Sequence, residues 1–314
     1  MALGFCPFGI AVAKTSVYGT EILRRRDDET EAQVKPGQES LTAIMVCAAR
    51  AAAHGRTGVG AFADPTALAL LPEDVRESVE RFRSGAAATS LRERIRHAML
   101  AKRSQMMVAR TVAIDDAIRA AASPQVVILG AGLDGRAWRM SELVDVTVFE
   151  VDHPDSQRKK QERAASLKQA ARDVRFVPVD FTRDRLEDAL ASAGHDPARQ
   201  TTWVWEGVVM YLERADIEAT LRVLQAHSTL GSRLVVVYHS PSLIRHLAGF
   251  FLRRLGEPCR SAFTAEEMLT LLAGFAFAVV QDEDLARIAT RMSAEFSDMK
   301  RIMKSMRIVT AERR

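Results

Sequence analysis

The sequence has few cysteines and no long apolar run, and these two absences narrow the classes of protein to which it can belong. Its 314 residues include only Cys6, Cys47 and Cys259, which are far apart and lack CxxC or Cys/His spacing. This usage argues against a disulfide framework and a structural zinc site, and no metal is expected. No stretch of about 18 uninterrupted apolar residues occurs, so no membrane span is expected.

Net charge is also small, because 44 basic and 40 acidic residues leave a formal charge of +4 spread over a large molecule. We therefore expect no nucleic-acid partner. The first residues, MALGFCPFGIAVAK, have no basic residue before the apolar run and no A-x-A-like cleavage site, which disfavours a signal peptide. Together with the cysteine usage, this predicts a cytoplasmic protein, and 47% hydrophobic residues suffice for one large domain.

The first third of the chain has helical patterns. Residues 1–37 lack sustained periodicity and predict a loosely ordered lead-in. Four helical patterns follow, at Leu41–Ala53 after the N-cap candidate Ser40, from Asp64-Pro65 through Leu71, from about Val75 to Phe82, and from about Leu91 to Ala122. Residues 1–122 are thus predicted to form a helical segment, integrated with a core over residues 123–314.

Strand and helix alternate after Pro124. The run QVVILGAG is typical of a buried parallel strand, and VTVFEVD, DVRFVPVD, TTWVWEG and SRLVVVYHS follow with helical segments between them. This alternation predicts an α/β fold with a parallel sheet. Near the C-terminus, TAEEMLTLLAGF predicts a helix, AFAVVQ and LARIATRM predict final strands, and AEFSDMKRIMKSM predicts a closing helix. Its solvated face is predicted to carry Lys300, Arg301, Lys304 and Arg307.

A glycine-rich turn follows the first strand. Residues Gly130–Gly135 read GAGLDG and satisfy GxGxxG, a pattern in which glycines let the main chain approach a bound nucleotide. By itself the motif fits a dinucleotide enzyme, a methyltransferase, or a tight turn without a ligand.

Acidic residues follow the next three strands. Asp152 ends FEVD, where a carboxylate can accept both ribose hydroxyls of an adenosine, although a solvated or capping carboxylate fits the same pattern. Asp180 can accept from an adenine amino group, with the amide of Phe181 beside the ring, and this third acid favours a methyltransferase over a dehydrogenase. Glu206 lies at the carboxyl end of a strand, where open α/β sheets bind ligands, whereas the adjacent Trp203 and Trp205 are expected only to pack.

In this order the motifs resemble the leucine carboxyl methyltransferase-like family, and within it the bacterial S-adenosylmethionine-dependent methyltransferases. The resemblance covers about Ser40 to Met292 and rests on SLTAIMVCAARA, DPTALALL, ARTVAIDDAI, QVVILGAGLDGRAWRM, FEVDHPDSQRKK, VPVDF, WEGVVMYL and GEPCRSAF. It implies the class I methyltransferase (Rossmann-like) fold, a seven-stranded sheet with its last-inserted strand antiparallel and a helical N-terminal extension. It also implies S-adenosylmethionine as the methyl donor.

The resemblance assigns roles residue by residue. Arg110 corresponds to the arginine for the cofactor carboxylate, a role suited to a planar bidentate donor, although the pattern alone also fits a surface-helix arginine. Asp152 would hold the ribose, Asp180 and Phe181 would frame the adenine, and Glu206 would lie near the cofactor amino group. The predicted cofactor-binding set is Arg110, Gly130, Ala131, Gly132, Asp134, Glu150, Asp152, His153, Asp180, Phe181 and Glu206. Two departures from the family pattern are tolerable for cofactor binding, with Gly135 where Thr or Ala is usual and Phe181 in place of Leu.

The predicted reaction is methyl transfer to an oxygen of a small molecule or peptide. A carboxylate acceptor needs no base, whereas a hydroxyl would need one, for which Glu206 and His239 are candidates. Tyr211 is predicted to contact the substrate, although both Tyr211 and His239 also fit structural roles. The N-terminal segment, with Thr42 and Tyr18, is predicted to act as a lid. Two alternatives stay open: an NAD(P)-dependent oxidoreductase, for which no Tyr-x-x-x-Lys pair is found, and a cofactor-binding protein without catalysis.

Overall fold

A seven-stranded sheet organises the chain in the computed structural model, which describes residues 40–56, 62–180, 183–241, 259–292 and 303–314. The strands are β1 (Gln125–Leu129), β2 (Thr147–Asp152), β3 (Asp173–Pro178), β4 (Thr201–Trp205), β5 (Arg233–His239), β6 (Phe277–Asp284) and β7 (Met306–Arg313). Their order is β3-β2-β1-β4-β5-β7-β6, with β7 antiparallel to both neighbours and the remaining pairs parallel. The predicted sheet and its antiparallel last strand are confirmed.

Helices precede the sheet and connect its strands. They are α1 (Leu41–Ala53), α2 (Ala67–Leu70), α3 (Glu73–Arg83), α4 (Leu91–Ala121), α5 (Arg136–Arg139), α6 (Pro154–Ala164), α7 (Leu186–Ser192), α8 (Arg214–Ala226), α9 (Ala265–Ala273) and α10 (Leu285–Met292). The predicted cap of α1 is confirmed, since Ser40 Oγ accepts the Ala43 N–H at 3.2 Å. Within the described ranges, no helix combines the length and apolarity that crossing a bilayer requires.

The helix predicted from Asp64-Pro65 through Leu71 is shorter than expected. It spans Ala67–Leu70, because the Asp64 carboxylate lies outside the helix and accepts the N–H groups of Thr66 and Ala67 at 3.2 and 3.0 Å. Asp64 thus forms an Asx-type turn, in which its side chain accepts N–H groups two and three positions later in the chain.

The two faces of the sheet pack against different helices. On one face, Val127, Trp203 and Trp205 belong to a buried apolar cluster with side chains of α7, α8 and α9. On the other face, Val126 and Ile128 pack with side chains of α4 and α10. The two tryptophans are at most 2% exposed, which confirms that they are core residues.

Two predictions near the C-terminus are wrong. LARIATRM forms the helix α10, because its apolar positions recur at three- and four-residue spacing and bury Leu285, Ile288 and Ala289 on one side. The predicted closing helix does not extend through Met306, where β7 begins instead. Pairing with β5 and β6 stabilises this strand.

Arg307 is therefore not on a solvated helix face. Its Nε lies 3.0 Å from both Tyr238 Oη and Asp282 Oδ1, so it joins three neighbouring strands. Lys304 is exposed in the preceding turn. Predictions on residues 1–37, which include Cys6 and Tyr18, and on Phe181, Lys300 and Arg301 fall outside the described residues.

Candidate active site

Strand order places the predicted site residues along one edge of the sheet. The carboxyl ends of β3, β2, β1 and β4 are consecutive neighbours, and they are followed by Asp180, by Asp152 at the end of β2 itself, by the loop Gly130–Gly132, and by Glu206. Open parallel sheets bind ligands at this edge. The topology thus brings together residues that are far apart in the sequence, such as Gly130 and Glu206, which are 76 positions apart.

The main chain after β1 makes a close turn that requires glycine. Gly130 has φ +67°, and its N–H and that of Ala131 donate to Val151 O at 2.8 and 3.0 Å. A Cβ on Gly130 would overlap Val208 Cγ2 in the turn after β4. The loop is held between β2 and the β4 turn, and a side chain at Gly130 would open it.

Asp152 is fixed through both carboxylate oxygens. Oδ2 accepts the Gly132 N–H at 2.5 Å, and Oδ1 accepts the His153 N–H at 2.6 Å. Burial raises the pKa of Asp152 against the opposing effect of these two N–H groups. The His153 ring is exposed and accepts the Asp155 N–H at 3.2 Å, which makes it the N-cap of α6. Its contact with Asp152 is through the main chain.

Asp180 and Glu150 have different surroundings. Asp180 Oδ2 accepts from Arg183 Nε at 2.9 Å and is partly exposed. Glu150 is fully buried two positions before Asp152, with Lys160 Nζ at 2.6 Å. Burial raises the pKa of Glu150 to about 7 although the Lys160 ammonium opposes the shift. This ion pair gives Glu150 a structural partner, and its role in cofactor binding stays a prediction.

Glu206 is held between two arginines. Its Oε1 lies 2.7 Å from Arg110 Nε of α4, and its Oε2 accepts from Arg136 Nη1 of α5 at 2.9 Å. Burial alone would raise the pKa of Glu206, but the two guanidinium groups hold it below its usual value. Arg110 is 5% exposed, so it is not a surface-helix arginine.

These three residues belong to a larger buried set of charges, here called the arginine–carboxylate cluster. Its members are Arg50, Asp64, Arg110, Asp115, Asp134, Arg136, Arg139 and Glu206. Four guanidinium groups balance four carboxylates, so the cluster is neutral. It extends to α1, where Arg50 Nη2 donates to Leu133 O at 2.5 Å and Nε lies 2.9 Å from Asp64 Oδ2.

Sequence reasoning missed most of this cluster. Of its members, Arg110, Asp134 and Glu206 were predicted as site residues, and Asp64 was predicted only as a cap. A signal was present, because Arg136 and Arg139 lie three positions apart within an otherwise apolar RAWR helix, and charged residues are seldom buried unless paired. The identity of their partners depends on tertiary contacts.

Tyr211 and His239 lie near the same edge. Tyr211 Oη donates to Thr42 Oγ1 at 3.3 Å and connects the turn after β4 to the first turn of α1. His239 ends β5, the neighbour of β4, and is partly exposed. Among the described residues, no group of three His, Cys, Asp or Glu side chains is arranged to hold a metal ion.

Comparison with known proteins relates this edge to a family. The leucine carboxyl methyltransferase profile matches residues 43–225, more than half of the chain and the part that contains the site. A protein of Mycobacterium sp. (strain JLS), provisionally named an S-adenosyl-L-methionine-dependent methyltransferase, is 35% identical over 220 residues, which cover 70% of this chain and 72% of that protein. The chain belongs to the leucine carboxyl methyltransferase family.

A second relative and a solved structure extend the comparison. A Frankia alni protein with the same provisional name is 38% identical over 147 residues, and there the chain spans about half of the relative, 51%. The crystal structure of a DUF574 family protein from Streptomyces avermitilis has a TM-score of 0.55 at 14% identity, covering 88% of this chain and 98% of that one. These comparisons confirm the predicted class I, Rossmann-like fold and the predicted cofactor, S-adenosylmethionine.

Proposed function

We propose that this chain transfers the methyl group of S-adenosylmethionine to an oxygen atom, with a carboxylate as the preferred acceptor. The observation that carries the proposal is the row of polar groups along the carboxyl edge of the sheet. S-adenosylmethionine presents adenine, ribose, a sulfonium, an ammonium and a carboxylate in sequence. Asp180, Asp152, the loop Gly130–Gly132, Glu206 and Arg110 offer complementary groups in the same order.

The charged end of the cofactor fits Glu206 and Arg110. Arg110 contacts Glu206 through Nε, and no described residue accepts from its two Nη atoms. The guanidinium can therefore offer these donors to the cofactor carboxylate, while Glu206 offers negative charge to the ammonium. Main-chain atoms of the glycine loop, which lies between Asp152 and Glu206 along the edge, would line the methionine portion of the cofactor.

Bound S-adenosylmethionine would supply a methyl group on a sulfonium, and its transfer would break the S–CH₃ bond, leave the electron pair on sulfur and form an O–CH₃ bond. The residues of the chain contribute binding and orientation, which place the acceptor oxygen in line with the breaking bond. A rigid row of anchored groups is suited to this task because Asp152 and Glu206 are each held through both oxygens.

The state of Glu206 favours a carboxylate acceptor. Two guanidinium groups stabilise its anion and lower its pKa, which makes it a poor base for removing a hydroxyl proton. A carboxylate is ionised at neutral pH and needs no base, and the family profile is named for methylation of a leucine carboxyl group. His239 is the remaining candidate base if the acceptor is a hydroxyl.

The cofactor assignment is tested by thermal unfolding with S-adenosylhomocysteine or NAD. Ligand at about 100 times its Kd should stabilise the protein by about 2.7 kcal/mol. We expect this with S-adenosylhomocysteine in the wild type and in Asp155→Asn, whose side chain lies in the first turn of α6, and a much smaller shift in Asp152→Asn. Stabilisation by NAD alone would contradict the proposal.

The acceptor class is tested with methyl-labelled S-adenosylmethionine and short peptides that have either a free C-terminal carboxylate or a C-terminal amide. We expect label only on the free carboxylates, released as methanol by mild alkali because the product is an ester. Label that resists alkali and is lost in His239→Gln would instead indicate a hydroxyl acceptor.

A further inference from the structure

Arg136 occupies the centre of the arginine–carboxylate cluster. Its side chain is 2% exposed, and its guanidinium contacts carboxylates from three elements. Nε donates to Asp115 Oδ1 of α4 at 2.8 Å, and Nη1 contacts both Asp134 Oδ2 of the glycine loop and Glu206 Oε2 beyond β4, the latter at 2.9 Å. One guanidinium group thereby connects three separate segments of the chain.

The main chain adds a further constraint. The N–H of Arg136 donates to Asp134 Oδ1 at 2.7 Å, so the backbone that begins α5 and its own guanidinium hold the same carboxylate. Arg139, one turn later, holds both oxygens of Asp115 at 2.7 and 2.9 Å. Asp134 just before α5 and Asp115, which Arg139 holds at the end of α5, therefore fix the position of the Arg136 guanidinium. That position in turn determines where Oε2 of Glu206 lies.

We infer that Arg136 is a positioning residue for cofactor binding, which orients Glu206 and keeps it anionic to receive the ammonium group of S-adenosylmethionine. This inference rests on the proposed function and adds to it a residue that does not itself touch the cofactor. Arg110 alone holds only Oε1, so that without Arg136 the carboxylate can rotate about its last bond.

The charges around Glu206 explain why one arginine does not suffice. Arg110 faces it from α4, Arg136 from α5, and Arg50 from α1 at longer range, while Asp134 faces it with negative charge from the glycine loop. Removing Arg136 leaves burial and Asp134 opposed by Arg110 and the more distant Arg50. The pKa of Glu206 should then rise toward neutrality, and the cofactor ammonium should lose its partner as the pH falls.

Lysine should not replace this residue. An ammonium is a compact charge and cannot reach three carboxylates in the directions that a guanidinium fork serves. Arg136→Lys keeps the formal charge of the cluster, but an ammonium that pairs with Asp115 or Asp134 no longer holds its charge against Glu206. Arg139→Lys is the matched control, because Arg139 lies on the same helix, holds Asp115 in the same cluster, and makes no contact with Glu206.

The experiment measures the Kd of S-adenosylhomocysteine by calorimetry between about pH 5.5 and about pH 8 in the wild type, Arg136→Lys, Arg139→Lys, Glu206→Gln and the Arg136→Lys, Glu206→Gln double variant. We expect the wild type and Arg139→Lys to share one pH profile, to which Glu150, with its pKa of about 7, contributes equally. In Arg136→Lys the Kd should rise about tenfold more than in the wild type from the upper to the lower pH, because a protonated Glu206 cannot pair with the cofactor ammonium. The double variant should lose this dependence and match Glu206→Gln.

If Arg136→Lys does not fold, Arg136→Gln combined with Asp115→Asn replaces it, because that pair removes one charge of each sign, keeps the cluster neutral and leaves Asp134 facing Glu206. The same pH profile in the Arg136 variant as in the wild type would overturn the inference and leave the proposed function intact. A dependence that persists in the double variant, or that Arg139→Lys shows equally, would overturn it as well. Failure of the wild type to bind S-adenosylhomocysteine would overturn both.

Discussion

The two ends of the sheet bury polar groups in opposite ways. At the carboxyl ends of the strands, the arginine–carboxylate cluster uses formal charges. At the amino ends the contacts are between neutral groups: Gln125 Nε2 donates to Thr201 Oγ1 at 3.1 Å, Thr202 Oγ1 donates to Ser123 Oγ at 2.8 Å, and His195 Nε2 lies 3.0 Å from Thr201 Oγ1. All five of these side chains belong to residues that are at most 6% exposed.

The two ends therefore differ in the energetic cost of their buried polar groups. Neutral hydrogen bonds satisfy buried polar groups at modest cost, whereas buried ions require balanced partners because desolvation is expensive. An ionic arrangement is therefore a poor choice for stability alone. Its location at the proposed cofactor edge is explained if fixed charges there receive a zwitterionic ligand.

The largest expected effect comes from removing one buried carboxylate of the arginine–carboxylate cluster. Asp115→Ala removes one of the three carboxylate partners of Arg136 and the bidentate partner of Arg139, which leaves an excess positive charge buried, and we expect the free energy of unfolding to fall by about 3–5 kcal/mol. Asp116→Ala is the matched control, since the adjacent Asp116 is 63% exposed and its pair with Arg119 should contribute less than about 1 kcal/mol. Urea unfolding of both variants measures the contrast, and equal losses would remove the distinction between the buried and the exposed pair.

A steric test concerns Gly135, at the same edge. A Cβ there would overlap Thr66 Oγ1, which is buried and bonded to Asp64 Oδ1 at 2.7 Å. Gly135 has φ −113°, which alanine adopts freely, so we expect Gly135→Ala to cost about 1–3 kcal/mol from overpacking alone.

The matching double-mutant cycle uses Thr66→Ala. The double variant should be less destabilised than the sum of the single variants, because the overlapping atom is gone. Additive losses would show that Thr66 is not what restricts position 135. This contact also gives a physical reason for the glycine at position 135.

The amino end should respond to mild acid. Burial lowers the pKa of His195 to about 4, with the charge on His227 acting in the same direction and Asp196 opposing it. The unfolded chain binds the proton with its ordinary pKa near 6.5, so stability is complete above about pH 6.5 and declines as the pH falls toward about 4. We expect His195 to contribute about 1–2 kcal/mol to this loss.

His195→Gln provides the comparison, because it can keep the contact with Thr201 without titrating. The difference in unfolding free energy between wild type and variant should change across this window and be flat above it. Glu206 and Asp64, whose pKa values are lowered, should keep their ion pairs throughout. A difference that is independent of pH would show that His195 has the same pKa in the folded and unfolded states.

The smallest effect is expected for a neutral pair. Thr202→Val leaves the Ser123 hydroxyl without its partner and should cost about 1 kcal/mol. Combining it with Ser123→Ala should restore most of this loss, since both polar groups are then absent. A loss comparable to that of Asp115→Ala, measured by the same urea unfolding, would abolish the contrast between the two ends.

Much of the fold could be predicted locally, and the failures have a physical cause. Ser40 as a cap, the short apolar strands and the glycine turn are encoded by neighbouring residues, and the structure contains them. The strand predicted for LARIATRM is wrong, because the apolar spacing of this segment is helical. By contrast, β7 has only the short β-branched run Ile308, Val309 and Thr310 as a local signal, and its pairing with β5 and β6 fixes it as a strand.

The candidate site divides in the same way. Strand ends followed by Gly130, Asp152 and Glu206 were sufficient to locate the edge, because parallel strands bring their carboxyl ends together. Residue types and spacing by themselves determined the class of fold, its edge and the chemistry available there. The tertiary structure decided which charges meet: Arg136 reaches Glu206 across 70 positions, and only packing that excludes water makes such a contact specific.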